Sequence, residues 1–161
     1  MEAKANELIR IMQMLLQVHM KMLDACERQR QALIDNDVKA LDKAIAGLEK
    51  FIRDIEALER RRQAVAAEIA IHFHLDPDSL AVSDLGGRLD ERFFRTLMQV
   101  AESLQKVLLA IRSVNDQNAM LVTQSVHYVQ KVLELVSTNV SGSGYGRQAA
   151  VAGGRLMDFH A

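Results

Sequence analysis

The stretch from Leu97 to Val136, "LMQVAESLQKVLLAIRSVNDQNAMLVTQSVHYVQKVLELV", contains neither proline nor glycine. Within it Leu97, Ala101, Leu104, Leu108, Ile111, Asn115, Asn118, Val122, Ser125, Val129, Val132 and Val136 recur at alternating steps of three and four. That spacing sets them on one stripe of a helix. A second line at every seventh residue, Phe93, Val100, Val107, Val114, Leu121, Tyr128 and Leu135, is apolar as well. Two adjacent stripes make a face too wide for a two-stranded coiled coil. The helix is therefore expected to pack against two others, or to leave part of its face free for a partner.

Upstream, Leu8, Ile11, Leu15, Val18, Met22 and Ala25 form a similar seam, and so do Leu41, Ile45, Leu48, Ile52 and Ile55. Between them "IDNDVKAL" offers Asp35, Asn36 and Asp37, short polar side chains that compete with the backbone and cap a helix start. The reading is a tight turn or a cap, with one continuous helix as the alternative. A short connection between two long amphipathic helices makes them antiparallel neighbours, each burying its stripe on the other. "HFHLDPDSLAVSDLGGR", residues 72 to 88, collects the one proline and a glycine pair and predicts a loop with a helical turn around Asp78 to Val82.

After Ser137 the periodicity stops, and five of the eight glycines fall in "SGSGYGRQAAVAGGRLMDFHA", residues 141 to 161. The expected fold is all-α, an elongated antiparallel helical bundle or coiled coil of three long helices with a disordered C-terminal tail. Residues 1–140 form the helical bundle domain and residues 141–161 the flexible glycine-rich tail. The tail also holds Tyr145, Leu156, Met157 and Phe159, apolar anchors that a solubilising tail does not need.

Composition narrows the function. Residues in this 161-residue chain are 49% hydrophobic and 25% charged, ordinary for a soluble domain. The net charge of −1 provides no basic field for phosphate, so neither nucleic acid nor an anionic membrane is expected as a partner. Charged residues interrupt every apolar run, which argues against a membrane span. A single cysteine, Cys26, and an N-terminus without a basic start and apolar run point to the cytoplasm.

Chemical constellations are sparse. His72, His74, Asp76 and Asp78 alternate in a way that would converge on an extended strand but not in a loop between helices, so solvated side chains and a helix cap are expected there. The ferritin-like di-iron pattern would need Glu-x-x-His twice on facing helices, and the chain has none. Around Arg60 to Arg62 the basic cluster has Glu56 and Glu59 within helical reach. No nucleophile-base set and no glycine-rich phosphate loop occurs. No metal, no cofactor and no enzymatic activity are expected. Met12, Met14, Met20 and Met22 crowd the first helix; Met22 lies on the seam and reads as core filling, Met14 and Met20 as exposed contacts. Asn115, Asn118 and Ser125 place polar groups in an apolar seam. They must find partners, either as a register-fixing layer of the bundle or on a bound helix.

"LLAIRSVNDQNAMLVTQSVHYVQKVLELV" resembles the signature of the FlgN-type flagellar export chaperones, a helix with Asn115, Asn118, Leu121, Ser125 and Tyr128 at helical spacing. The tail is similar too, with Tyr145-Gly146 and the basic-apolar-x-Asp element of "GRLMDFHA", and "ALIDNDVKALDKAIAGLEKFIRDIEALERRR" is similar to the family's early helices. The resemblance implies a cytoplasmic type III export chaperone. Such a protein binds the C-terminal helices of hook-associated, hook-filament junction proteins, prevents their premature assembly and delivers them to the flagellar export gate. Under that reading Leu121, Val122, Tyr128, Val129 and Val132 anchor the client helix. Asn115, Asn118 and Ser125 hydrogen-bond either the client or the bundle. Tyr145, with Arg155, Leu156 and Asp158, contacts the export gate. The free protein is a possible homodimer. The competing reading is a structural coiled-coil homo-oligomer, or a helical interaction module without an export role.

Overall fold

The computed structural model describes the backbone of residues 1–141 and the side chains of residues 1–137. Three long helices, α1 (Glu2–Asp35), α2 (Val38–His72) and α3 (Glu91–Ser141), are joined by a two-residue reversal and by a longer connection. A 3₁₀ turn at Val82–Leu85 lies inside that connection. The chain divides into two units, Met1–Thr123 and Gln124–Ala161, and α3 runs from the first into the second. The expected tail lies, but for Ser141, outside the described residues.

The α1–α2 reversal settles the alternative left by the sequence. Asn36 adopts a left-handed conformation (φ 55°), which its short polar side chain tolerates. The Asp37 N–H donates to the Ala32 carbonyl at 2.9 Å and the Asn36 N–H to the Leu33 carbonyl at 3.4 Å. These two bonds satisfy carbonyls that a helix end leaves unpaired. Asp37 then starts α2, its Oδ1 accepting the Ala40 N–H at 3.0 Å. One residue closes the first helix and the next opens the second.

The same device ends α2. His74 has φ 55°, the Leu75 N–H donates to the Ala70 carbonyl at 2.9 Å, and the His74 N–H to the Ile71 carbonyl at 3.2 Å. Leu75 folds back onto the core. In the connection Asp76 accepts from the Asp78 N–H and the Ser79 hydroxyl. The 3₁₀ turn falls at Val82–Leu85 and not at the expected Asp78 to Val82, because Asp84 accepts the Ala81 N–H at 2.8 Å and Leu85 is driven into the core. Asp90 caps α3 through the Arg92 N–H.

Antiparallel α1 and α2 pack together, and α3 completes an up-down-up bundle in the first unit. Ile11, Leu15, Ile69, Leu85 and Leu97 are fully buried in one cluster that draws on all three helices. Burying each such side chain contributes about 1.5–3 kcal/mol. A second cluster joins Cys26 of α1 to Ile111 and Val114 of α3, with Leu48 of α2 packed on it. The α1 seam is as expected in placement, with Leu8, Ile11, Leu15 and Ala25 buried and Met22 partly so, while Met14 and Met20 are exposed.

In α2 the expected stripe is displaced. Ile45 and Ile52 are 40% and 45% exposed, and the inward positions are Leu41, Ala44, Leu48, Phe51, Ile55, Leu58, Val65 and Ile69. The three-four alternation holds, but one facing position is alanine and another is the half-buried Arg62, which pairs with Glu59 at 2.8 Å. Lys4 bridges to Glu68 at 2.8 Å across α1 and α2, and this hydrogen bond raises the lysine pKa above its ordinary value.

His74 is thus a left-handed helix terminus. Replacing it with valine, whose branched side chain is strained at positive φ, is expected to lower stability by about 1–2 kcal/mol. His74→Gly should leave the melting temperature equal or higher. Thermal denaturation followed by circular dichroism at 222 nm compares the two, and a valine variant as stable as the glycine variant would refute the assignment.

Candidate functional site

In the first unit the polar seam residues part company. Asn118 is buried, and its Nδ2 donates to the Cys26 carbonyl at 3.1 Å and to Gln29 Oε1 at 3.1 Å. Its Oδ1 is buried without a hydrogen-bond partner. Beside it Arg30 donates to Gln117 at 2.9 Å, a second polar tie between α1 and α3. Asn115 points to solvent. The buried seam is therefore displaced: burial follows Phe93, Leu97, Val100, Leu104, Val107, Ile111, Val114, Asn118 and Leu121, which keep the three-four alternation but take one sevenfold line from each stripe read in the sequence.

Burial sets the chemistry of Cys26. Desolvation pushes its thiol pKa up, with the neighbouring Glu27 carboxylate adding to the shift. A neutral buried thiol is a small apolar side chain and not a nucleophile. His19 is buried as well, its Nδ1 donating to the Leu15 carbonyl at 2.7 Å. His72, His74, Asp76 and Asp78 are all exposed, and no group of three potential metal ligands assembles among the described residues.

Between the facing ends of α1 and α2, Ala25, Ala32, Ala40, Ala44 and Gly47 open a cleft of about 590 Å3 over Phe51. Small side chains leave the space between the walls unfilled, and a methyl added at Gly47 would meet nothing within 4 Å.

The second unit carries apolar side chains of another kind. Val126, Tyr128, Val129, Val132, Leu133, Leu135 and Val136 of α3 are exposed, from 39% at Val132 to 70% at Tyr128. Of the residues named from the sequence as client anchors, Tyr128, Val129 and Val132 lie here, and Ser125 is exposed beside them. Val122 is exposed at the end of the first unit, and Leu121 is half-buried there. Val126 and Leu133 were missed. They continue a third line at sevenfold spacing from Ala119, a signal present in the sequence. Tyr145, Arg155, Leu156 and Asp158 lie outside the described residues. No helix among the described residues is long and apolar enough to cross a membrane.

The model of the FlgN protein family matches residues 1–153, nearly the whole chain. No curated protein and no solved structure matches it.

Asn118 ties α3 to α1, so Asn118→Ala is expected to lower stability by about 1–2 kcal/mol. Cys26, whose carbonyl that amide holds, should then react faster with a thiol reagent under native conditions. Labelling kinetics with and without the substitution test this; an unchanged Cys26 rate with unchanged stability would mean that the amide contributes nothing to the register.

Proposed function

We infer the function from kinship and surface together: this chain belongs to the FlgN protein family, whose members are flagellar export chaperones. We propose that it acts in the cytoplasm, binds the C-terminal helices of hook-filament junction proteins, prevents their premature assembly, and delivers them to the type III export gate. The observation that carries the proposal is the exposed apolar face of α3, Val126 to Val136. Soluble proteins seldom leave so many large apolar side chains contiguous on one helix unless a partner covers them. An amphipathic client helix laid along this face buries its own apolar stripe and so loses the surface through which it would associate early.

The proposed roles divide by burial. Val122, Tyr128, Val129 and Val132 serve as anchors, together with Val126 and Leu133, and Leu121 borders them. Asn115 and Ser125 supply polar contacts beside the apolar face. Asn118 acts from inside, keeping α3 in register on α1. Tyr145, Arg155, Leu156 and Asp158 are the proposed contacts with the export gate. The same exposed face also favours a second reading, a structural homo-oligomer, and a homodimer of the free chaperone would use it too.

Titration of the full-length protein with C-terminal helical peptides of the junction proteins separates these readings. Saturable binding, absent with a flagellin peptide, is expected, and Val129→Asp should weaken it at least tenfold, about 1.4 kcal/mol. A version cut after Val140 should bind the peptides unchanged but lose the export gate. A stable oligomer that binds no junction peptide would sink the chaperone reading.

A further inference from the structure

Around the α3 segment from Gln124 to Ser137, apolar side chains cover more of the circumference than one partner helix can use. At about 100° per residue, Val126 and Leu133 mark one edge of the face, and Val129, Val132 and Val136 its middle. Tyr128 and Leu135 mark the other edge, and the whole arc spans about 180°. Ser125 is the polar residue within it, while Gln124, His127, Gln130, Lys131, Glu134 and Ser137 share the opposite half. All seven large apolar side chains of the arc are exposed.

A helix that buries one side against a single neighbour needs a stripe of about 100°, and a coiled-coil seam needs less. Half a circumference is what a helix shows when it lies against two neighbours. The first unit provides the comparison: there the α3 positions from Phe93 to Asn118 meet both α1 and α2. In the sequence the three-four register of that face continues through Ser125, Tyr128, Val132 and Leu135.

We propose that the client covers this face with two amphipathic helices at once, supplied by one client chain. This deepens the chaperone reading and rests on it. The chemistry of the occupant follows from the face. Lys131 and Glu134 fall on the far side, so the contact offers no charge to pair, and the two client helices present uncharged, apolar stripes. A second copy of this chain does not close the face. It brings one such helix, and two helices with half-apolar circumferences bury only about half of each arc on one another.

Calorimetric titration of the full-length protein with a single-helix C-terminal peptide of a junction protein, and with two such helices joined by a flexible linker, tests the stoichiometry. Two single peptides per chain, or one tandem bound at least about tenfold tighter than the single peptide, is the expected result. Tyr128→Asp and Leu133→Asp, at opposite edges, should each abolish one of the two single-peptide sites and leave the other. Saturation at one single peptide, with no gain for the tandem and one edge variant without effect, overturns the two-helix proposal and leaves the chaperone reading standing. Light scattering that shows four α3 segments assembled in the free protein would overturn it too. So would a gain of a second peptide site only after truncation at Val140, which would assign half of the face to the chain's own terminal residues. Failure of every junction peptide to bind sinks the chaperone reading itself.

Discussion

Two helices of 34 and 35 residues cannot cover a third of 51. At about 1.5 Å per residue α3 is roughly 75 Å long and its partners roughly 50 Å, so a turn or more of α3 must find cover elsewhere or do without. Everything distinctive in this molecule follows from that inequality. The reversal at Asn36 and Asp37 stops α1 and starts α2 within two residues, which fixes where cover ends. Beyond that point the sequence of α3 keeps the apolar spacing it has inside the bundle. An apolar register continued past α1 and α2 calls for cover from another segment, and the proposed function assigns that place to the client.

A long helix with a repetitive seam has a second problem, because heptads can slip by one repeat at modest cost. Asn118 addresses it. Its amide reaches the Cys26 carbonyl and Gln29, and Arg30 reaches Gln117, so a slipped register would leave the buried amide without acceptors. The unpartnered Oδ1 shows what this specificity costs in stability, since a buried oxygen without a donor opposes folding by about 1–3 kcal/mol.

The fold was legible wherever periodicity and breakers carried the information. The three helices and the α1 seam could be read from spacing, whereas at Asp35 to Asp37 the sequence offered both a turn and one continuous helix, and the left-handed Asn36 decides for the turn. The α2 stripe was misplaced because Ala44 and Arg62 sit at inward positions; hydropathy marks Ile45 and Ile52 as better core residues, and only packing shows that a small side chain and a half-buried arginine face the seam. His74 looked like a loop residue, since a positive φ at a non-glycine position leaves no trace in composition. The 3₁₀ turn was set by Asp84 and the burial of Leu85, two tertiary facts. At the candidate site, two stripes were visible, but their division into buried and exposed parts was not. It depends on which two sevenfold lines of α3 meet α1 and α2: the lines of Leu97 and Phe93 face inward, which puts Asn118 inside, and the line of Leu108 does not, which leaves Asn115 out.

Helical stability itself bears on how such a face would work. Four valines, at 126, 129, 132 and 136, are β-branched residues with restricted side-chain rotamers and lowered helix propensity. Propensity alone gives weak support to a helix, whose stability in proteins comes mainly from packing of its apolar side. A face built of valine therefore gains order from whatever covers it, and part of the binding free energy is spent on that ordering. Under the proposed function, in which this face holds a client and then releases it, that subtraction is useful. The apolar area sets which helices can bind, and the valine content keeps the complex weaker than the area alone implies. On that reading a leucine-rich face of equal area would hold the client longer and slow its hand-over.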